Sequence, residues 1–224
     1  MGGLIVFDFD GVIADSEKLA NTVLAEMVSE LGTPTTLDDA YTRYMGKRFP
    51  EVVAQIERDL AQTLPVDFPV VMQARTLERF REELRAVTGA LAFIEAFSGV
   101  PKCIASSSST DRLRVCLDEL ALRSAFEPHI YSASLVARGK PHPDIFLYAA
   151  RQVGVSPSRS IVIEDSVGGV EAGLAAGMTV IGLLAASHIR PETRDRLHQA
   201  GADHVVDTFA EAKGITSDLL AKWA

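Results

Sequence analysis

The chain has 224 residues, of which 47% are hydrophobic and 23% charged, with a formal net charge of −8 and two cysteines. That size suits one large domain or a core domain carrying a smaller insertion, and the composition is that of a soluble globular protein. The net negative charge, with no Lys/Arg cluster to offset it, argues against a nucleic-acid partner. No apolar run approaches the roughly 20 residues that span a bilayer, so no membrane partner is expected. Cys103 and Cys116 make no disulfide framework and read as small core residues. The first residues lack the basic, apolar and cleavage pattern of a signal peptide, and the expected compartment is the cytoplasm.

The first element is Leu4-Ile-Val-Phe, a short apolar run that enters Asp8-Phe-Asp10-Gly11. Its length and its Asp/Gly boundary predict a buried parallel strand rather than a helix. From Glu17 to about Val87 the period becomes helical. Leu19, Val23, Met27, Val28 and Leu31 mark one helix, Val52, Val53, Ile56 and Leu60 a second, and Leu77, Phe80 and Leu84 a third. Pro65 and Pro69 are expected to break helices between them. Strand and helix then alternate, with strands at Lys102–Ala105, His129–Tyr131, Ser160–Ile163, Met178–Gly182 and His204–Val206. Helices are expected over Asp111–Leu120, Pro143–Val153 and Val167–Ala176. Such alternation implies right-handed crossovers and a mostly parallel sheet. The expected fold is α/β: a Rossmann-like core from residues 1–16 and 87–224, with a helical subdomain inserted over 17–86.

Four stretches carry chemistry. In an open α/β sheet, ligands bind beyond the carboxyl ends of the strands, where Asp8 and Asp10 fall. Asp and Gly are also ordinary turn residues, so this stretch alone leaves both readings open. In Ser106-Ser-Ser-Ser109-Thr110, hydroxyls and free N–H groups between a strand end and a helix start suit a phosphate. One serine suffices for an N-cap, and four exceed that need. Ser106 would contact the phosphate by hydroxyl and Ser107 by backbone. Lys140, ahead of Pro141 and Pro143, could offer a fixed ammonium, although taken singly it reads rather as an exposed, solvated lysine. His142, between those prolines, reads as structural. Finally, Ile161-Val-Ile163 ends in Glu164 and Asp165. If that strand lies beside the first, four carboxylates converge at one sheet end. Oxygen ligands of this kind suit Mg²⁺, which takes few carboxylates, waters and a substrate phosphate.

As a set, these stretches resemble the haloacid dehalogenase-like hydrolase superfamily. More narrowly, they resemble its phosphatases and phosphomutases with a helical cap after the first strand, the β-phosphoglucomutase-like and phosphoglycolate phosphatase-like group. The resemblance implies that Asp8 is the nucleophile, forming an aspartyl-phosphate. It makes Asp10 the acid that protonates the leaving oxygen and the base that then activates water, its carbonyl also binding Mg²⁺. Ser106, Ser107 and Lys140 would hold the phosphoryl group, with Asp165 a direct Mg²⁺ ligand and Glu164 direct or water-mediated. An acid at Asp10 also speaks against the dehalogenase branch.

Tyr44-Met-Gly46-Lys47-Arg48-Phe49 falls where similar proteins carry a substrate-specificity loop. Gly46 would admit close backbone approach, while Lys47 or Arg48 would meet a second anionic group. Ser16 and Glu17 would form one hinge. At the second, Val87-Thr88-Gly89 departs from the proline often found before the glycine. His188 and Arg190, in a loop after a strand, could fall near the site, but no role is assigned to either. The resulting expectation is a Mg²⁺-dependent phosphatase of small phosphate esters, most naturally sugar phosphates, acting as a monomer or weak homodimer. A phosphomutase returning the phosphate to a second hydroxyl is the alternative. A receiver-like module switched by phosphorylation is a third reading, disfavoured by the acidic pair and the helical insertion.

Overall fold

A computed structural model describes residues 2–45, 47 and 49–223. The chain divides into two compact units, Met1–Asp15 with Arg85–Ala224, and Ser16–Leu84. The first strand, β1 (Leu4–Phe7), opens the larger unit and is buried throughout. The smaller unit holds α1 (Glu17–Glu30), α2 (Leu37–Arg43), α3 (Phe49–Leu60) and α4 (Phe68–Glu83). The chain then continues with α5 (Ala90–Ala96), β2 (Lys102–Ser106), α6 (Thr110–Glu119), α7 (Arg123–Phe126), β3 (Ile130–Ser132) and α8 (Asp144–Val153). It ends with β4 (Ser160–Glu164), α9 (Val167–Ala175), β5 (Thr179–Leu183), α10 (Thr193–Gln199), β6 (His204–Val206) and α11 (Phe209–Lys222). Among the described residues, no helix is long and apolar enough to cross a membrane.

The six strands form one sheet in the order β3-β2-β1-β4-β5-β6, all paired in parallel. The first strand is therefore central, flanked by β2 and β4. Strand side chains alternate between faces. Leu4 and Val6 pack with Val162, Val180 and the α8 residues Phe146 and Ala149. Phe7 points the other way, into an aromatic cluster. Its ring centroid lies 5.8 Å from that of Phe93 on α5 and 5.6 Å from that of Phe126 on α7, both edge to face. Phe93 in turn lies 5.1 Å from Phe209 on α11. Two buried faces explain why the central strands read as unbroken apolar runs.

The helical unit has its own core of Val23, Met27, Val28, Tyr44, Val52, Ile56 and Phe68. Pro65 lies in the break between α3 and α4, but Pro69 does not break a helix. It sits in the first turn of α4, where a missing N–H leaves no partner unsatisfied. Helix α2 has no counterpart in the hydrophobic periodicity because seven residues are too few to show one. A local capping box starts it: Thr36 Oγ1 accepts from Asp39 N at 3.1 Å, and Asp39 Oδ2 accepts from Thr36 N at 2.9 Å.

Candidate active site

The site is built at the carboxyl ends of β1, β2 and β4. Register places Phe7 opposite Ile163, and Asp8 N donates to the Ile163 carbonyl at 3.0 Å. The two acid-bearing strand ends are thus neighbours. Beyond Asp8 the chain folds into a tight loop, in which Ile13 N and Ala14 N both donate to the Phe9 carbonyl at 2.9 Å. Gly11 has φ +80, and a Cβ there would lie 2.0 Å from Asp165 Oδ2 and 2.8 Å from His188 Cε1. Only glycine suits that backbone and that space.

Lys140 ties the two strand ends together. Its Nζ donates to Asp8 Oδ1 at 2.6 Å and to Glu164 Oε1 at 2.7 Å, and it lies 4.8 Å from the Phe146 ring centroid. Its side chain is only 7% exposed, so the solvated-surface alternative does not describe it. Burial disfavours the ammonium, yet Asp8 and Glu164 outweigh that and hold its pKa above the ordinary lysine value. Asp8 shifts upward: burial pushes its carboxyl well above the usual range, Lys140 opposes this, and Glu164 and Asp165 add to it.

Glu164 and Asp165 are neighbours in sequence with different surroundings. Glu164 is fully buried and takes four hydrogen bonds. Beyond Lys140 on Oε1, its Oε2 accepts from Asp165 N at 2.8 Å, Ser166 N at 2.9 Å and Ser166 Oγ at 2.9 Å. Gly169, in the first turn of α9, makes room for it, since a Cβ there would lie 1.7 Å from Glu164 Oε1. Asp165 instead lies 3.1 Å through Oδ2 from His188 Nε2. His188 belongs to the segment after β5, whose Ser187 donates to Asp15 Oδ1 through N at 3.1 Å and Oγ at 2.8 Å.

The four serines divide their work. Ser106 is buried, and its Oγ accepts from Ser108 N at 3.0 Å; Ser107 is exposed. Ser109 caps α6, its side chain accepting from Arg112 N at 3.3 Å. Ser108 Oγ donates to Asp10 Oδ2 at 2.5 Å, while Arg112 donates to Asp10 Oδ1 at 2.5 Å. Ser132 on β3 secures the loop by donating to the Ser108 carbonyl at 2.7 Å. Arg112 and the Ser108 contact escape sequence reading because their partner, Asp10, lies about a hundred residues away. The helical period of α6 accounts for Arg112 as an ordinary polar position. His142 is exposed, Lys47 is exposed, and Gly46 and Arg48 lie outside the described residues.

Asp8, Glu164 and Asp165 each offer an oxygen, all within 4.8 Å of one another and all buried. Three buried carboxylates facing one ammonium carry excess negative charge, and hard oxygen donors suit a small divalent cation. The donor set therefore fits a metal ion, with Glu164 the least available of the three because Lys140, Ser166 and the Asp165 amide already engage both its oxygens.

This arrangement of fold and strand-end acids defines a class. The haloacid dehalogenase-like hydrolase profile matches residues 3–177, and the chain belongs to that family. A haloacid dehalogenase-like protein of unknown function from Agrobacterium tumefaciens is 37% identical, with a TM-score of 0.86 over 98% of this chain and 99% of that one. A HAD family hydrolase from Deinococcus radiodurans, solved with phosphate and sodium, is 35% identical, with a TM-score of 0.83 over 97% and 96%. The 6-phosphogluconate phosphatase of Escherichia coli is 27% identical over 84% of this chain and 85% of its own length.

Proposed function

We propose that this enzyme is a phosphatase of small phosphate monoesters, sugar phosphates above all, working through a phosphoryl group carried on Asp8. The observation that carries this reading is the Lys140 bridge between Asp8 and Glu164. It supplies a fixed positive charge where a phosphoryl oxygen would sit, beside a carboxylate that can attack. In the first step an Asp8 oxygen bonds to phosphorus, the bond from phosphorus to the ester oxygen breaks, and Asp10 gives that oxygen its proton. In the second, Asp10 takes a proton from water, the water oxygen bonds to phosphorus, and the bond to Asp8 breaks. Inorganic phosphate leaves and both aspartates return to their starting state. Phosphoryl transfer demands mainly positioning and neutralisation of charge. Ser106, Ser107 and Lys140 are the groups assigned to that task.

Mg²⁺ is the proposed cofactor, held by Asp8, Asp165 and the Asp10 carbonyl, with Glu164 acting through water. When bound, it neutralises charge on the phosphoryl oxygens. The Deinococcus relative was solved with phosphate and sodium bound, which is in keeping with an anion and a cation as ligands. Residues 17–86 are proposed as the cap that selects substrate, with Lys47 and Arg48 meeting a second anionic group.

Phosphate release from a panel of phosphorylated sugars and polyols, with Mg²⁺ and with chelator, tests this. Metal-dependent release by the wild type and none by Asp8→Asn is the expected result. No release from any ester with Mg²⁺ present contradicts the reading. Accumulation of an isomeric sugar phosphate in place of inorganic phosphate would make the enzyme a phosphomutase.

A further inference from the structure

We infer that His188 restricts Asp165 to binding a cation through one oxygen, and that this sets a preference for Mg²⁺ over Ca²⁺. The inference rests on the metal reading above and goes beyond it. His188 Nε2 lies 3.1 Å from Asp165 Oδ2, and because a carboxylate can only accept, the imidazole is the partner that would donate. The same oxygen faces Gly11, where a Cβ would approach it to 2.0 Å, and His188 Cε1 flanks that point at 2.8 Å. One Asp165 oxygen is thus enclosed by an imidazole and a glycine backbone, which would leave the other for the cation. Glu164 is spent on Lys140, Ser166 and the Asp165 amide. Asp8 gives one of its oxygens to Lys140.

The carboxylates therefore offer single oxygens at fixed positions, with water completing the shell. That suits the small octahedral Mg²⁺, whereas Ca²⁺ takes six to eight oxygens, often with both oxygens of a carboxylate. His188 is held for this task from outside the site. Its neighbour Ser187 is pinned twice to Asp15, and Leu184 N donates to the Val206 carbonyl at 2.9 Å. Partners that orient a metal-binding carboxylate are typically worth ~10- to 100-fold in metal affinity. His188 is a positioning residue, since it acts through Asp165.

The test is a thermal-shift titration of chelator-stripped protein with Mg²⁺ and, separately, with Ca²⁺, which yields an apparent affinity for each from the rise in melting temperature. Activity plays no part in the readout. In the wild type, Mg²⁺ binds the more tightly. His188→Ala should weaken Mg²⁺ by ~10-fold or more while Ca²⁺ weakens less or tightens, so the ratio of affinities falls. His188→Gln, which keeps an N–H donor, should restore part of that ratio. Ser187→Ala, which loosens the segment without touching Asp165, should shift it in the same direction by less, and carries the test if His188→Ala fails to fold. An unchanged ratio in His188→Ala and Ser187→Ala, whether both affinities hold or both fall together, overturns the inference. If the wild type binds neither cation, the metal reading itself fails, an outcome distinct from an unchanged ratio.

Discussion

In the sheet-bearing unit one buried ammonium serves both Asp8 and Glu164, and a half-buried guanidinium serves Asp10. Among the described residues of the helical unit the charges lie outside the core. Arg75 pairs with Glu30 at 2.8 Å and Arg79 with Glu26 at 3.0 Å, across the surfaces of α4 and α1, while the interior is apolar apart from groups such as Thr76 and Asn21. The first arrangement costs desolvation and persists only where geometry is held from several sides. The second costs little and contributes little. Among the described residues, buried charge in one unit and its absence from the core of the other separate where chemistry is proposed from where packing alone suffices.

Substitutions can be ranked along that contrast. Asp8→Asn removes the proposed nucleophile, and turnover should fall by at least about 10⁴-fold with the fold intact, read by phosphate release and circular dichroism. Lys140→Ala strands two carboxylates, and breaking a buried pair in this way typically costs ~3–5 kcal/mol, measurable by urea unfolding. Gly169→Ala drives a methyl group into the four-fold bonded Glu164 carboxylate, an overpacking worth ~1–3 kcal/mol with a matching loss of activity. A smaller effect has the opposite sign. Because burial and its acidic neighbours raise the Asp8 pKa, the native state holds a proton there that the unfolded chain releases. Native stability in chelator therefore falls as pH rises from about 4, the ordinary carboxylate value, through the raised one. Asp8→Asn should flatten that decline and melt higher than the wild type at neutral pH without metal. Smallest of all, Arg75→Ala should leave the melting temperature within measurement error. A large loss there would contradict the division between the units.

Much of the site was legible in the sequence because strand ends announce themselves. An apolar run that stops at Asp8, or at Glu164 and Asp165, can be read locally, and the sheet order brings those ends together. Lys140 was legible only with the other three stretches, since taken singly it read as a solvated lysine, and its double contact was not legible at all. The division of labour between Glu164 and Asp165 was illegible, since the two differ in sequence by one methylene. It arises from Ser166, whose N and Oγ claim Glu164, and from His188, some twenty residues further on. Arg112 and Ser108 were hidden for the same reason: their partner Asp10 is reached only through the pairing of β1 with β2. In the helical unit long helices followed from their period, whereas α2 depended on a two-residue capping exchange too short to register as periodicity.

Asp8 is proposed to carry the phosphoryl group and Asp10 to move the protons. Asp10→Asn with p-nitrophenyl phosphate tests this directly. That leaving group departs without help from an acid, whereas the second step still needs the missing base. The expected result is a burst of p-nitrophenolate close to one per enzyme, followed by slow turnover, with a phosphoryl group located on Asp8 by peptide mass spectrometry after an acid quench. Wild-type steady-state turnover by Asp10→Asn, or a phosphoryl group on any other residue, would contradict it.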